Sequence, residues 1–298
     1  MASTLKLKIA DSMHRKARRW TYRLQSVLCR QTMPAPAAEE IDVVIPVVEK
    51  DLDVLPLCVE GVRRQLTNPL GRICLVGPPS ERLSGAAATL GCEFVDETTV
   101  LGYGPRDIDG AVTPGGVDRR GWVFQQLLKL SGRVGRSRRF LVIDSDHVLV
   151  APHTFVASDG RSVLYQSKEY HGAYFRSIAR LMGPRFAIAP LSFVAHKMVF
   201  DRHELARLRQ CLEERNQALG PSWDRIVVAS LDMTEGLSPF SEYELYGNFL
   251  PAAQKRCLLW RQRALAKPAD GTLPGYDELV SDYGRKYLSV TFPDYKKK

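Results

Sequence analysis

The residues best placed to do chemistry stand in RRFLVIDSDHVLVAP, residues 138–152. An apolar run, Phe140 to Ile143, leads directly into Asp144 and Asp146, one residue apart. Side chains two apart on an extended segment point the same way, so both carboxylates would share one side of a strand end. Held close together they repel, and taking them out of water is costly unless a cation joins them. Magnesium or manganese fits that need, because such hard ions take one or two carboxylates and complete their shell with phosphate oxygens or water. The pair therefore points to a Mn2+ or Mg2+ site with a diphosphate, against the plainer reading of an acidic turn with both side chains in water.

A second acid pair lies in SEYELYGNF, residues 241–249. Glu242 and Glu244 are set among Phe240, Tyr243, Tyr246 and Phe249. Sugars pack on aromatic faces, and a carboxylate in apolar surroundings has a raised pKa that suits it to act as a general base. Glu242 is the first candidate and Glu244 the second. The same residues also read as a helix start, with Ser241 as N-cap and the acids at the positive end of the helix. Both readings can hold at once.

The apolar pattern shows what must position these acids. IDVVIPVV (41–48) is a continuous β-branched run, as expected of a strand buried on both faces. A helical stretch (55–66), a strand (72–79), a helix around 80–90 and a strand (92–97) follow. Residues 101–118 are rich in Gly and Pro and read as a mobile loop. WVFQQLLKL (122–130) is helical and leads into the strand that carries Asp144 and Asp146. This alternation predicts an α/β fold, a mixed and mainly parallel sheet flanked by helices. Beyond it, 163–166 and 192–200 read as strands and 201–219 as a helix, and the chain closes on a tail ending YKKK. The expected organisation is a basic amphipathic segment and Pro/Ala linker (1–40), a strand–helix half (41–150) and a second half of the same domain with a C-terminal tail (151–298).

The 298 residues are 45% apolar and 25% charged, the composition of a soluble globular protein. No apolar run approaches the roughly 20 residues of a membrane span, and the first residues lack the block of a secretory signal. Six scattered cysteines without a CxxC pair predict reduced thiols and a cytoplasmic setting. The net charge of +9 is concentrated in residues 1–32, where eight basic residues face Asp11 alone. In residues 12–31, Trp20, Leu24, Val27 and Leu28 share one helical face. This reads equally as a helix on an anionic membrane surface, at the inner face of the plasma membrane, or as a helix packed on the domain with a solvated basic side. The body lacks a basic stripe interleaved with aromatics, so no nucleic-acid partner is expected.

The ordered set of motifs resembles the nucleotide-sugar-binding half of GT-A glycosyltransferases, which implies that 41–150 is the nucleotide-sugar-binding half and 151–298 the acceptor-binding and catalytic half of the same domain. IDVVIPVVEKD resembles their first strand and donor-base loop, and FLVIDSDHV their DxD strand. GWVFQQLLKL, DSD and SEYELYGNF together are similar to a bacterial group of predicted GT-A transferases, over about residues 41–250. The resemblance implies a metal-dependent transferase that moves a sugar from a nucleotide-diphosphate sugar to a glycan or glycolipid acceptor, in cell-envelope polysaccharide synthesis. It implies that Asp146 binds the metal directly and that Asp144 reaches the metal or the donor ribose. Pro46, Val47 and Glu49 would line the base, with Asp96 hydrogen-bonding base or ribose. Lys129 and Gln126 would face the diphosphate or sugar, although Lys129 reads equally as a solvated helix lysine. A late histidine, His196 or His171, would be the third metal ligand, with a core or surface histidine as the alternative for each. Trp223 and Asp224 would shape the acceptor site.

FLVIDSDHV also satisfies the pattern of haloacid dehalogenase-type phosphatases, but it follows three strands and no later acidic pair completes that site. A sugar-nucleotidyltransferase would need a Gly-rich loop after the first strand, which IPVVEKDLDVLP lacks. The non-enzymatic rival is an anionic-surface-binding protein driven by the basic arm.

Overall fold

The computed structural model describes residues 2–29, 31–268 and 271–293; the YKKK tail lies outside them. In chain order the first part comprises α1 (Ala2–Leu28), β1 (Ile41–Pro46), α2 (Leu55–Gln65), β2 (Leu70–Gly77), α3 (Glu81–Thr89), β3 (Glu93–Asp96), α4 (Glu97–Leu101), α5 (Arg120–Ser131) and β4 (Arg139–Ile143). The second part comprises β5 (His147–Leu149), β6 (Ser162–Gln166), α6 (Gly172–Met182), β7 (Lys197–Asp201), α7 (Arg202–Arg215), α8 (Trp223–Ala229) and α9 (Glu242–Phe249). It ends with β8 (Lys255–Leu259), β9 (Gln262–Ala264), α10 (Tyr276–Tyr283) and β10 (Ser289–Thr291).

Five strands form the central sheet in the order β3-β2-β1-β4-β7. Every neighbouring pair is parallel except β4 and β7. This is the mixed, mainly parallel sheet that the strand–helix alternation predicts. The chain builds outward from β1 through β2 to β3, then returns to the other side of β1 with β4. The order therefore reverses between β1 and β4. Their carboxyl ends flank the crevice where ligands of open α/β sheets bind. Smaller sheets, β5-β10-β9 and β6-β8, extend the second half.

β1 is buried along its whole length, as its apolar run requires. It nevertheless carries Asp42, only 1% exposed. That carboxylate accepts backbone N–H bonds from Arg72 (2.9 Å), Arg136 and Ser137 (2.8 Å), tying β1 to the start of β2 and to the turn before β4. Gly135 adopts φ +76° and approaches the same carboxylate so closely that a Cβ would collide with it. Burial alone would raise the pKa of Asp42, but the three amides outweigh it and the pKa is lowered. A depressed carboxylate stabilises the fold fully above the ordinary value of about 3.9, and the stabilisation disappears as pH falls through the lower folded value. Asp42→Ala should cost about 3 kcal/mol at neutral pH in urea denaturation, and markedly less at pH 3. Equal losses at both pH values would show that the amides do not act through a carboxylate.

Several elements differ from expectation. The extended segment stops at Ile143, and Asp144–Asp146 form a tight turn closed by His147 N–H to the Asp144 carbonyl (3.0 Å). The strand expected over 192–200 starts only at Lys197, and the helix expected over 201–219 ends at Arg215. Residues 101–118 contain helical turns and a bridge between Val112 and Asp118. Tyr103 donates to Asp224 (2.6 Å) and Arg225 to the Asp107 carbonyl (2.9 Å), so α8 holds this segment at two points. Asp224 is therefore spent on the loop.

Candidate functional site

Asp144 emerges at the carboxyl end of β4, and the antiparallel register of β7 decides what it meets. Ile143 pairs with Lys197, so the next residue outward on β7's side is His196. His196 holds φ +56°, a left-handed conformation that is uncommon for any residue but glycine. Its carbonyl accepts the Asp144 N–H (3.0 Å), and its Nδ1 lies 3.0 Å from Asp144 Oδ2. The other oxygen, Oδ1, receives Lys129 Nζ (2.9 Å) and Tyr243 O–H (3.2 Å).

Lys129 projects from α5 and is only 4% exposed. Its ammonium also lies 2.9 Å from Glu242 Oε1 and 4.7 Å from the ring centre of Tyr243, both on α9. The contact to Glu242 is an ion pair rather than an aligned hydrogen bond, since Oε1 finds no donor in good geometry. Burial by itself would lower the pKa of Lys129, but Asp144 and Glu242 raise it well above the ordinary range. Burial would raise Asp144, yet Lys129 and His196 hold it well below the usual carboxylate range. For His196, burial is again opposed and outweighed by Asp144, so its pKa is raised. Asp144, Lys129, Glu242, Tyr243 and His196 thus form one buried ionic network.

Asp146 stands apart from that network. Burial and the negative charge of Asp144 raise its pKa, with Asp51 adding to the repulsion. Asp51 lies in the turn after β1 and accepts from Ser145 Oγ (3.2 Å). The crevice between β1 and β4 therefore carries acids from both strand ends.

The expected ligand set Asp144, Asp146 and His196 does not form a ready-made coordination shell. Among the described residues no three of His, Cys, Asp or Glu are grouped to hold an ion, and both oxygens of Asp144 are engaged. The donor chemistry still fits a hard divalent ion that draws most of its ligands from phosphate and water. Asp146, pressed by like charge, could hold such an ion, with Asp144 beside it once a metal displaced one of its present partners.

Of the other expected residues, Pro46 ends β1 at the crevice, while Val47 is fully buried beside it. Glu49 is bound by Ser80 (2.5 Å) and Arg82 (2.7 Å). Asp96 caps α4 through Thr98 N–H (2.9 Å) on edge strand β3, with β2 and β1 between it and β4. Gln126 donates to its own helix at the Trp122 carbonyl (2.9 Å). Glu244 is buried and accepts from Ser192 Oγ (2.5 Å), away from Lys129, with Ser241 capping the helix start as expected. His171 rests on Tyr174 at the start of α6. Glu242 and Glu244 are almost wholly covered, so neither carboxylate presents itself to an open pocket.

Two features escaped the sequence reading. Asp51 was visible only as the last acid of VVEKD. Behind the acids, Lys197 is fully buried, 3.1 Å from His147 Nε2 and 4.9 Å from the Trp260 ring centre; burial drives its pKa well below the ordinary range. Its only signal was a lysine inside an apolar strand.

The structure is similar to that of mouse xyloside xylosyltransferase 1 in its apo form, at 13% identity and a TM-score of 0.47, over 87% of this chain and 99% of that one. It is similar to the galactosyltransferase LgtC, solved with donor and acceptor sugar analogs, at 11% identity and a TM-score of 0.41, over 85% of this chain and 87% of the other. A third similar structure is Mycobacterium tuberculosis glucosyl-3-phosphoglycerate synthase with Mn2+, uridine diphosphate and glucosyl-3-phosphoglycerate. Identity there is 12% and the TM-score 0.35, over 74% of this chain and 70% of that one. No curated protein matches the sequence. A protein family described as "Family of unknown function (DUF6492)" matches residues 89–274, which span α5, the acid turn, β7 and α9, and the chain belongs to that family.

Proposed function

We propose that this chain is a glycosyltransferase that binds a nucleotide-diphosphate sugar at the carboxyl ends of β1 and β4 and passes the sugar to a glycan or glycolipid acceptor. The observation that carries this reading is the position of Asp144 and Asp146 at the point where the strand order reverses, where α/β sheets bind their ligands. The ordered motifs resembling GT-A transferases support it independently. A divalent ion held by Asp146 would supply charge neutralisation for the departing diphosphate.

The chain's own residues do the rest. Lys129, fixed by Glu242 and Tyr243, holds Asp144 ionised and in one orientation. His196 holds the second oxygen of the same carboxylate. Glu242 is given a positioning role, because it faces Lys129 from the buried side. A cleft of about 420 Å3, lined in part by Tyr22, Lys168, Glu169, Trp260 and Arg261, offers acceptor space, with Trp260 5.5 Å from His196 between ring centres.

Thermal unfolding with a panel of nucleotide diphosphates and their sugars, with and without Mn2+, tests this reading. One nucleotide should stabilise the protein only with metal present, by about 2.7 kcal/mol at a hundred times its dissociation constant. A panel that produces no metal-dependent shift would remove the donor site from the crevice.

A further inference from the structure

Helix α1 is attached to the body by its polar side. Asp11 receives Arg176 (3.2 Å) and Tyr170 (3.2 Å). His14 stacks on Tyr170 at 5.6 Å. Arg18 is buried, donates to the Ala189 carbonyl (3.2 Å) and lies 4.4 Å over Phe175. Tyr22 donates to the Trp260 carbonyl (2.5 Å). These residues recur at helical spacing and take up the face that would ordinarily be apolar.

The apolar stripe is consequently turned to solvent. Ile9, Met13, Trp20, Leu24, Val27 and Leu28 are all exposed, Trp20 by 64% and Val27 by 82%. A contiguous row of large apolar side chains in water marks an interaction surface. Its border identifies the partner. Lys16, Arg19 and Arg23 are exposed along one flank, and Lys168 of the body joins Arg19 and Arg23 around a shallow depression. The one acid among the described side chains of α1, Asp11, is turned inward to Arg176. Among the described residues no helix is long and apolar enough to cross a membrane.

We propose that α1 lies on an anionic lipid bilayer, with Trp20, Leu24, Val27 and Leu28 in the headgroup and acyl boundary and Lys16, Arg19 and Arg23 against lipid phosphates. An apolar face bordered by cations on a helix of low mean hydropathy is the arrangement that binds at an interface rather than spanning it. Tyr22 joins this helix to the cleft beside Trp260, so the surface sits next to the proposed acceptor space. The docking itself does not depend on the transferase reading.

Co-sedimentation of the full chain with vesicles of phosphatidylcholine alone, and of phosphatidylcholine with phosphatidylglycerol, is the test. Binding should appear only with the anionic vesicles and weaken with added salt. Arg19→Glu with Arg23→Glu should reduce it by about 20-fold or more, since each basic residue near such a surface contributes roughly fivefold. Trp20→Ser with Leu24→Ser should reduce it by at least about tenfold. Both double variants should melt like wild type, because the altered side chains are exposed. Equal affinity for neutral vesicles, or no binding to either kind, would overturn the proposal. So would a dimer that Trp20→Ser with Leu24→Ser converts to monomer, which would make a second copy the occupant. Nucleotide binding takes no part in the measurement, so its outcome separates from that of the donor site.

Discussion

Asp146→Asn should melt at or above the wild-type temperature in metal-free buffer, yet lose metal-dependent nucleotide binding and roughly a thousandfold or more in transfer rate. The two halves of this result have one cause. The Asp146 carboxylate is partly buried and faces the charges of Asp144 and Asp51, a repulsion that His196 and Lys50 offset only in part. An amide of the same shape removes that repulsion, and with it the charge that a divalent ion and diphosphate would need. Sites under such strain are where stability is commonly given up for function. Thermal melts, calorimetric titration with Mn2+ and nucleotide diphosphate, and rate measurements check it. A variant that melts lower than wild type but still answers to metal and nucleotide would sink the assignment of Asp146.

Lys129→Met should be the most destabilising single change at the site, costing about 3–5 kcal/mol in urea denaturation. The lysine is 4% exposed, and its loss leaves Asp144 and Glu242 as neighbouring carboxylates with no buried cation between them. Glu242→Gln in the Lys129→Met background should recover part of the loss, because one uncompensated charge disappears. A double-mutant cycle measures that coupling, expected at about 1–3 kcal/mol. Additive effects would mean that the two residues do not act as a pair. The single variant Glu242→Gln distinguishes positioning from proton transfer. A positioning residue should alter metal-dependent nucleotide affinity together with rate, whereas a general base would alter rate alone.

Local patterning set much of this protein in advance. Alternating apolar runs of two periodicities dictate a mainly parallel sheet with helices, since a strand buried on both faces must be apolar throughout. The turn acids at the end of a buried strand, the Ser241 cap and the amphipathic face of the N-terminal helix are likewise short-range consequences of residue type and spacing. What each polar side chain meets is a different matter. His196 reaches Asp144 only because β7 runs antiparallel in the register that pairs Ile143 with Lys197. Lys129, readable as a surface residue, became the buried centre of the site because α5 and α9 close over β4's end. Asp42 sits inside an apolar strand because three amides from distant segments converge on it. The helix α1 kept its predicted stripe but turned it outward, since Arg176, Tyr170 and Trp260 offered its polar side better partners. Periodicity reports which face of an element is apolar; only packing between elements far apart in the chain decides which charges are brought together, and which apolar face is left for something else.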